Sequence, residues 1–266
     1  MCIRDRDKVI QEIVTRSNSS NFIRLESLHY HYASRELTAW KICIEKFILF
    51  LSNIDSGILK DLKYISLGGG MFSRMNAYLE EQLSFDIPSF DEYAASSIKT
   101  LSNYLDKKSD LNLMKPEILI EPGTALASKS IDFVVQVISI KKINNKIYVN
   151  TTGSKYNMNP SPNRINSPYE ILNLNSKSSI EVKNANLCGY TCIESDVIHD
   201  NFNGNISIGD MIIFKEVGSY SIVMKPPFIL PDVPIIEFDD AINKFRIVRN
   251  KQTFENIFDS YTFFNK

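Results

Sequence analysis

Five short clusters in the 266-residue chain hold residue types that do chemistry. His29 and His31 alternate with tyrosine in Leu28–Ser34 (LHYHYAS). On an extended strand both imidazoles share a face, their Cα atoms about 6.6 Å apart. Such a pair can ligate a metal or stack on a planar ring. A metal would need further ligands, and the one other histidine, His199, lies far along the chain, so no metal site is expected. Gly68-Gly69-Gly70 follows an apolar run, where glycines let the backbone close on a ligand and turn N–H groups toward an anion. Glu121 ends another apolar run before Pro122-Gly123, which sets a carboxylate at a strand end. Cys188 and Cys192 are spaced C-x3-C with no second pair, which does not make a zinc site. Tyr220, in Val217–Ser221 (VGSYS), offers a phenol. Each cluster has a plain reading too: exposed strand histidines, a flexible turn, a solvated charge, an inert thiol, a packed tyrosine. Neither a G-x-x-x-x-G-K-[ST] nor a G-x-G-x-x-G loop is present, which disfavours a nucleotide cofactor.

The elements that must position these groups change character along the chain. Up to about residue 125, strand and helix patterns alternate. Phe22–Tyr32 reads as a strand, and Arg35–Leu51 as a helix with Ser34 as N-cap and apolar residues at 37, 40, 44, 47 and 51. Leu62–Leu67 reads as a strand, Asp91–Leu105 as a helix capped by Ser89 with Glu92 three residues on, and Pro116–Ile120 as a strand. That alternation predicts parallel βαβ units. After Ser128, short β-rich runs follow: Phe133–Ile140, Lys146–Thr151, Met211–Lys215, Tyr220–Met224, Pro234–Phe238 and Lys244–Val248. Asn144-Asn145 and Asn203-Gly204 read as turns, Ser154–Ser179 as a long loop and Thr253–Phe258 as a short helix. This half predicts an antiparallel β domain.

In this order LHYHYAS, LGGG, IEPG, CGYTCIESD and VGSYS resemble the second half of the fold-type III decarboxylases that use pyridoxal 5'-phosphate, the family acting on diaminopimelate, ornithine and arginine. The resemblance runs from about Phe22 to Phe258. It implies an α/β plus β fold: the last three βα units of an alanine-racemase-like (β/α)8 barrel, then an antiparallel β domain. Residues 1–127 would be a partial TIM-like barrel holding the cofactor, and 128–266 the β domain. By the same match the N-terminal half of the barrel is missing, and with it the Schiff-base lysine, so the chain as given is expected to be inactive.

The resemblance also implies roles. His31 would stack on the cofactor ring. Ser34, Gly68, Gly69, Gly70, Gly123, Thr124 and Tyr220 would serve the cofactor, several of them at its phosphate, and Glu121 would pair with the ring nitrogen. Cys192 would protonate the carbon from which carbon dioxide leaves, and Glu194 would read the far end of an amino-acid substrate. The chain departs from the family pattern at four places. Ala33 and Thr124 stand where glycine and arginine are usual, Ile193 where an acid follows the cysteine, and Phe228-Ile229 where F-N is usual. Diaminopimelate is the first substrate, with ornithine or arginine as alternatives. A homodimer sharing its sites between chains is implied. An alanine-racemase-like enzyme would instead need an arginine at the ring nitrogen and a catalytic tyrosine in the β domain. A non-catalytic homologue is the third reading, consistent with the altered positions.

Composition limits the remaining classes. With 30 basic and 31 acidic residues, net charge is -1, and no basic surplus supports nucleic-acid binding. The longest apolar runs, such as Phe47–Leu51, cannot span a bilayer. The N-terminal decapeptide has no apolar core of a signal peptide, so a cytoplasmic location and free thiols at Cys2, Cys43, Cys188 and Cys192 are expected.

Overall fold

A computed structural model describes residues 7–31, 35–54, 61–109, 115–158, 165–174 and 179–262. They form two compact units. One draws on Met1–Phe133, Asn163–Glu170 and Phe214–Ser219, the other on Val134–Pro162, Ile171–Ile213 and Tyr220–Lys266.

The first unit is built on three short parallel strands, β1 (Ser27–His29), β2 (Tyr64–Ser66) and β3 (Glu117–Leu119), side by side in that order. Leu28 pairs with Ile65 and Ile65 with Ile118, and those central side chains point into the core. The helix Leu37–Ser52 buries Trp40, Ile44, Phe47 and Leu51, the stripe that 3.6-residue spacing predicts. Ser34, expected to cap it, lies outside the described residues; the helix starts after Glu36, whose side chain makes no cap bond. Ser89 does cap the next helical run: its Oγ accepts from Glu92 N at 3.2 Å, and Glu92 Oε2 accepts from Ser89 N at 2.8 Å. That run is Phe90–Ala94, a π segment at Ala95–Lys99, then Thr100–Ser109. The hydroxyls of Ser96, Ser97 and Thr100 all donate to carbonyls of this segment, and such local bonds compete with the α pattern. The first strand is much shorter than the run Phe22–Tyr32. Phe22 is 98% exposed, and among the described residues the ladder with β2 begins at Ser27.

The second unit carries a six-stranded sheet. Its strands are β4 (Phe133–Ile143), β5 (Lys146–Thr151), β6 (Tyr169–Leu172), β7 (Ile180–Cys188), β8 (Val197–Ile206) and β9 (Met211–Phe214), in spatial order β6-β9-β4-β5-β7-β8. Asn144 and Asn145, at φ 47° and 65°, turn β4 into β5. The primed hairpin turn they form needs positive φ at both central residues. The expectation of a purely antiparallel domain is corrected at one pair: β5 and β7 run parallel, because a long crossover containing β6 joins them. Strand β6 thus also lies inside the stretch read as loop. Two further corrections concern turns. Asn203-Gly204 lies within β8, whose pairing with β7 absorbs extra residues as bulges through register shifts and the positive φ of Asn184 in β7 and Asn201 in β8. Tyr220–Met224 is a turn rather than a strand, with Tyr220 at φ 62° and Met224 N bonded to Tyr220 O at 3.0 Å. A separate hairpin, β10 (Ile235–Asp239) with β11 (Lys244–Arg249), and the helix Phe254–Phe258 complete the unit.

Candidate functional site

The three parallel strands end in one direction, and their C-terminal ends gather the first group of chemical residues. The ladder continues past each strand: Tyr30 N bonds to Ser66 O at 2.8 Å, Leu67 N to Leu119 O at 2.9 Å, and Glu121 N to Gly68 O at 2.9 Å. The three connecting segments therefore stay side by side. His29 Nδ1 lies 2.9 Å from Ser66 Oγ, and Ser66 Oγ donates to Glu121 Oε1 at 3.2 Å. His29 Nδ1 and Glu121 Oε1 lie 3.6 Å apart, and both side chains are half-exposed. Gly69 N donates to His31 Nδ1 at 3.2 Å, and the two imidazoles stack with centroids 5.9 Å apart and planes at 24°.

The glycines are required by this closeness. Gly68, at φ +67°, packs against the His31 ring: a Cβ there would lie 2.7 Å from Cγ and 2.9 Å from Cβ of that histidine. A Cβ on Gly69 would stand 2.5 Å from the Glu121 carbonyl oxygen. Gly70 also has positive φ, at 105°. Gly123, by contrast, faces open space. Thr124 turns its hydroxyl to Ser219 Oγ at 3.1 Å, so the position carries a hydroxyl pair and no charge.

The structure thus brings His31, Gly68, Gly69 and Glu121 to one place in the first unit, and adds His29 and Ser66. Sequence reasoning passed over Ser66. Its one signal was its position two residues before Gly68, at the end of an apolar strand. Ser34 lies outside the described residues. Cys192, Glu194 and Tyr220 belong to the second unit. There, the carboxylate of the buried Asp196 organises the loop that carries the thiol. Its Oδ1 accepts from Ser154 Oγ at 2.9 Å and Lys155 N at 2.7 Å, its Oδ2 from Thr191 Oγ1 at 2.7 Å and Thr191 N at 3.2 Å. Gly189 packs on that carboxylate, leaving no room for a Cβ. With the turn pinned from inside, Cys192, Ile193 and Glu194 all face solvent. Burial, and then the Asp196 charge, push the Cys188 thiol above its ordinary value.

One ligand atom from each of His29, His31 and Glu121 falls within 4.8 Å of the others, which is close enough to consider a metal ion. The hydrogen bonds disfavour it. His31 Nδ1 accepts from Gly69 N–H, so the neutral ring carries its hydrogen on Nε2 and has no lone pair there for a metal. A planar heterocycle suits the same groups better. Imidazole supplies a stacking face, Glu121 leaves an oxygen beyond the Ser66 bond, and the glycines hold the backbone close.

A family model described as "Pyridoxal-dependent decarboxylase, C-terminal sheet domain" matches residues 56–218, more than half of the chain. The chain belongs to this family of decarboxylases, and pyridoxal phosphate is the family's cofactor. A diaminopimelate decarboxylase of Buchnera aphidicola is 30% identical over 177 residues, covering 60% of this chain and 39% of that enzyme. A carboxynorspermidine/carboxyspermidine decarboxylase of Campylobacter jejuni is 24% identical over 243 residues, 85% of this chain and 56% of its own length. The diaminopimelate decarboxylase of Helicobacter pylori, solved with L-lysine, superposes with a TM-score of 0.73 at 22% identity, covering 96% of this chain and 59% of that one. That likeness shows the fold. The chain spans 39% to 59% of the length of these relatives.

Proposed function

We propose that this chain supplies part of the cofactor site and the proton-donating loop of a pyridoxal-phosphate-dependent amino-acid decarboxylase, with a diaminopimelate-like substrate and lysine as product. The observation that carries the proposal is the convergence of His31, Gly68, Gly69 and Glu121 at the ends of three adjacent parallel strands. The cofactor, when bound, supplies an electron sink for the bond to the departing carboxylate. Glu121 pairs with its ring nitrogen and His31 stacks on its ring. Ser34, Gly70, Gly123, Thr124 and Tyr220 complete its binding, several of them at the phosphate. The α-carbon loses carbon dioxide and gains one proton, which the Cys192 thiol delivers. Glu194, exposed one residue beyond Ile193, reads the distal ammonium of the substrate. No lysine of the chain matches the cofactor-carrying position, so the 266 residues capture the cofactor without a covalent lysine adduct.

A homodimer in which Cys192 serves the partner's site belongs to the same reading, in a cytoplasmic enzyme. Its support is the β10–β11 hairpin. Ile236 pairs with Ile247 and Phe238 with Phe245 on one face, all four exposed, while Glu237 and Arg246 form a 2.6 Å ion pair on the other. A two-stranded hairpin with an open apolar face is marginal unless something covers it.

The test is an assay of the protein expressed from its complete gene, loaded with pyridoxal phosphate. Diaminopimelate, ornithine and arginine are offered separately, and amine products are identified by mass spectrometry. Lysine as the dominant product supports the proposal. Release from ornithine or arginine instead moves the substrate, and no carbon dioxide from any of the three refutes it.

A further inference from the structure

A serine hydroxyl has one proton to give and two lone pairs to accept with. Ser66, only 6% exposed, meets three partners: Gly68 N–H at 3.3 Å, His29 Nδ1 at 2.9 Å and Glu121 Oε1 at 3.2 Å. A backbone N–H can only donate, and an ionised carboxylate can only accept. The one Ser66 proton therefore goes to Glu121, and one lone pair is taken by Gly68. The contact that remains requires His29 to donate, so its hydrogen sits on Nδ1. His31 is held the other way: its Nδ1 accepts from Gly69 N–H at 3.2 Å, so its hydrogen sits on Nε2.

We propose that Ser66 is a positioning residue that locks His29 as the Nδ1–H tautomer and fixes one oxygen of Glu121, so that the two stacked histidines present Nε2 edges of opposite polarity, a bare lone pair on His29 and an N–H on His31. Resting on the cofactor reading, the consequence is directional. Ser66 occupies Oε1 and leaves Oε2 for a protonated ring nitrogen. The His29 lone pair stands beside the His31 donor as a proton acceptor at the same mouth. The register makes this possible: His29 and Ser66 are Cα partners across β1 and β2, so their side chains leave one face together. Alanine at position 66 would leave Gly68 N–H and Glu121 without the shared hydroxyl and free the His29 ring to adopt either tautomer.

The test begins with the 266-residue chain and no added ligand. Nitrogen-15 shifts of the two imidazoles at alkaline pH report which nitrogen is protonated. The expected pattern is Nδ1–H at His29 and Nε2–H at His31. In Ser66→Ala, His29 shifts toward Nε2–H while His31 keeps its pattern and so serves as a control for folding. Nε2–H at His29 in the unmodified chain overturns the proposal even if the variant does not fold, and so does a His29 pattern indifferent to the substitution. The second arm compares pyridoxal phosphate with a deaza analogue that has carbon in place of the ring nitrogen. Loss of one charge-assisted bond predicts about tenfold weaker binding of pyridoxal phosphate to Ser66→Ala, with the analogue unaffected. Equal weakening of both, or of neither, contradicts the positioning role. If the unmodified chain binds neither compound, the cofactor reading falls, while the imidazole shifts still decide the tautomers.

Discussion

Gly69 and Glu121 touch through their backbones: a methyl group on Gly69 would lie 2.5 Å from the Glu121 carbonyl oxygen. The strand end carrying the carboxylate is therefore seated directly on the glycine turn. Gly69→Ala must push the two segments apart, at a cost of about 1–3 kcal/mol of stability, and it displaces Glu121 as well. Gly123→Ala meets nothing within 4 Å and changes stability by less than about 0.5 kcal/mol. Denaturant melts of the two variants test the contrast, and equal losses would mean that the turn is not seated in this way.

Cys192→Ala and Glu121→Gln separate two steps. If the thiol acts after carbon dioxide has left, as proposed, its removal preserves cofactor binding and lowers turnover by about 10²–10⁴-fold. Under the same proposal Glu121→Gln would weaken the pairing that keeps the ring nitrogen protonated, so release of carbon dioxide itself would slow. Single-turnover measurement of carbon dioxide in the loaded full-length enzyme distinguishes them. Unchanged turnover in Cys192→Ala removes the role assigned to that thiol.

His199 gives the second unit a pH dependence. It is buried in β8 edge-on to Phe202, and burial lowers its pKa below the ordinary 6.5 despite opposing contributions from Asp200. The unfolded chain then takes up the proton first. Stability is full above the unfolded value, near 6.5, and falls as pH drops below it toward the folded value. Thermal melts from neutral to acid pH should show this fall, and His199→Gln should remove that component. A melting temperature rising over the same range would reverse the sign and refute it.

Thiol reactivity should follow exposure. Cys192 faces solvent on its loop. Burial raises the pKa of Cys43, which outweighs the hydrogen bond from Tyr30, and burial with Asp196 raises that of Cys188. Brief alkylation at neutral pH followed by peptide mass spectrometry should find Cys192 modified before either of the others. Faster labelling of Cys188 would show that the Asp196-pinned loop opens.

Much of this site was legible because its residues lie at strand ends, where alternation and glycine runs leave a mark. Pattern put His31 and Glu121 on or at the end of strands, and the family resemblance implied that those strand ends converge. Neither singled out Ser66. A serine closing a short apolar strand looks like any other until the parallel register sets it beside His29. The β half was read less well. Ile180–Cys188 and Val197–Ile206 are strands interrupted by asparagine, lysine and glycine, whose bulges break the alternation that announces a strand. Tyr220–Met224 is apolar enough to read as a strand, yet the positive φ of Tyr220 turns it. That conformation depends on context that a linear pattern does not carry.

The most direct measurement is a calorimetric titration of the 266-residue chain with pyridoxal phosphate, repeated with Glu121→Gln and His31→Ala and alongside zinc. The account predicts one pyridoxal phosphate per chain, weakened in both variants, and no zinc competing for the same residues. Stoichiometric zinc binding lost in those variants, with no binding of pyridoxal phosphate, would contradict it.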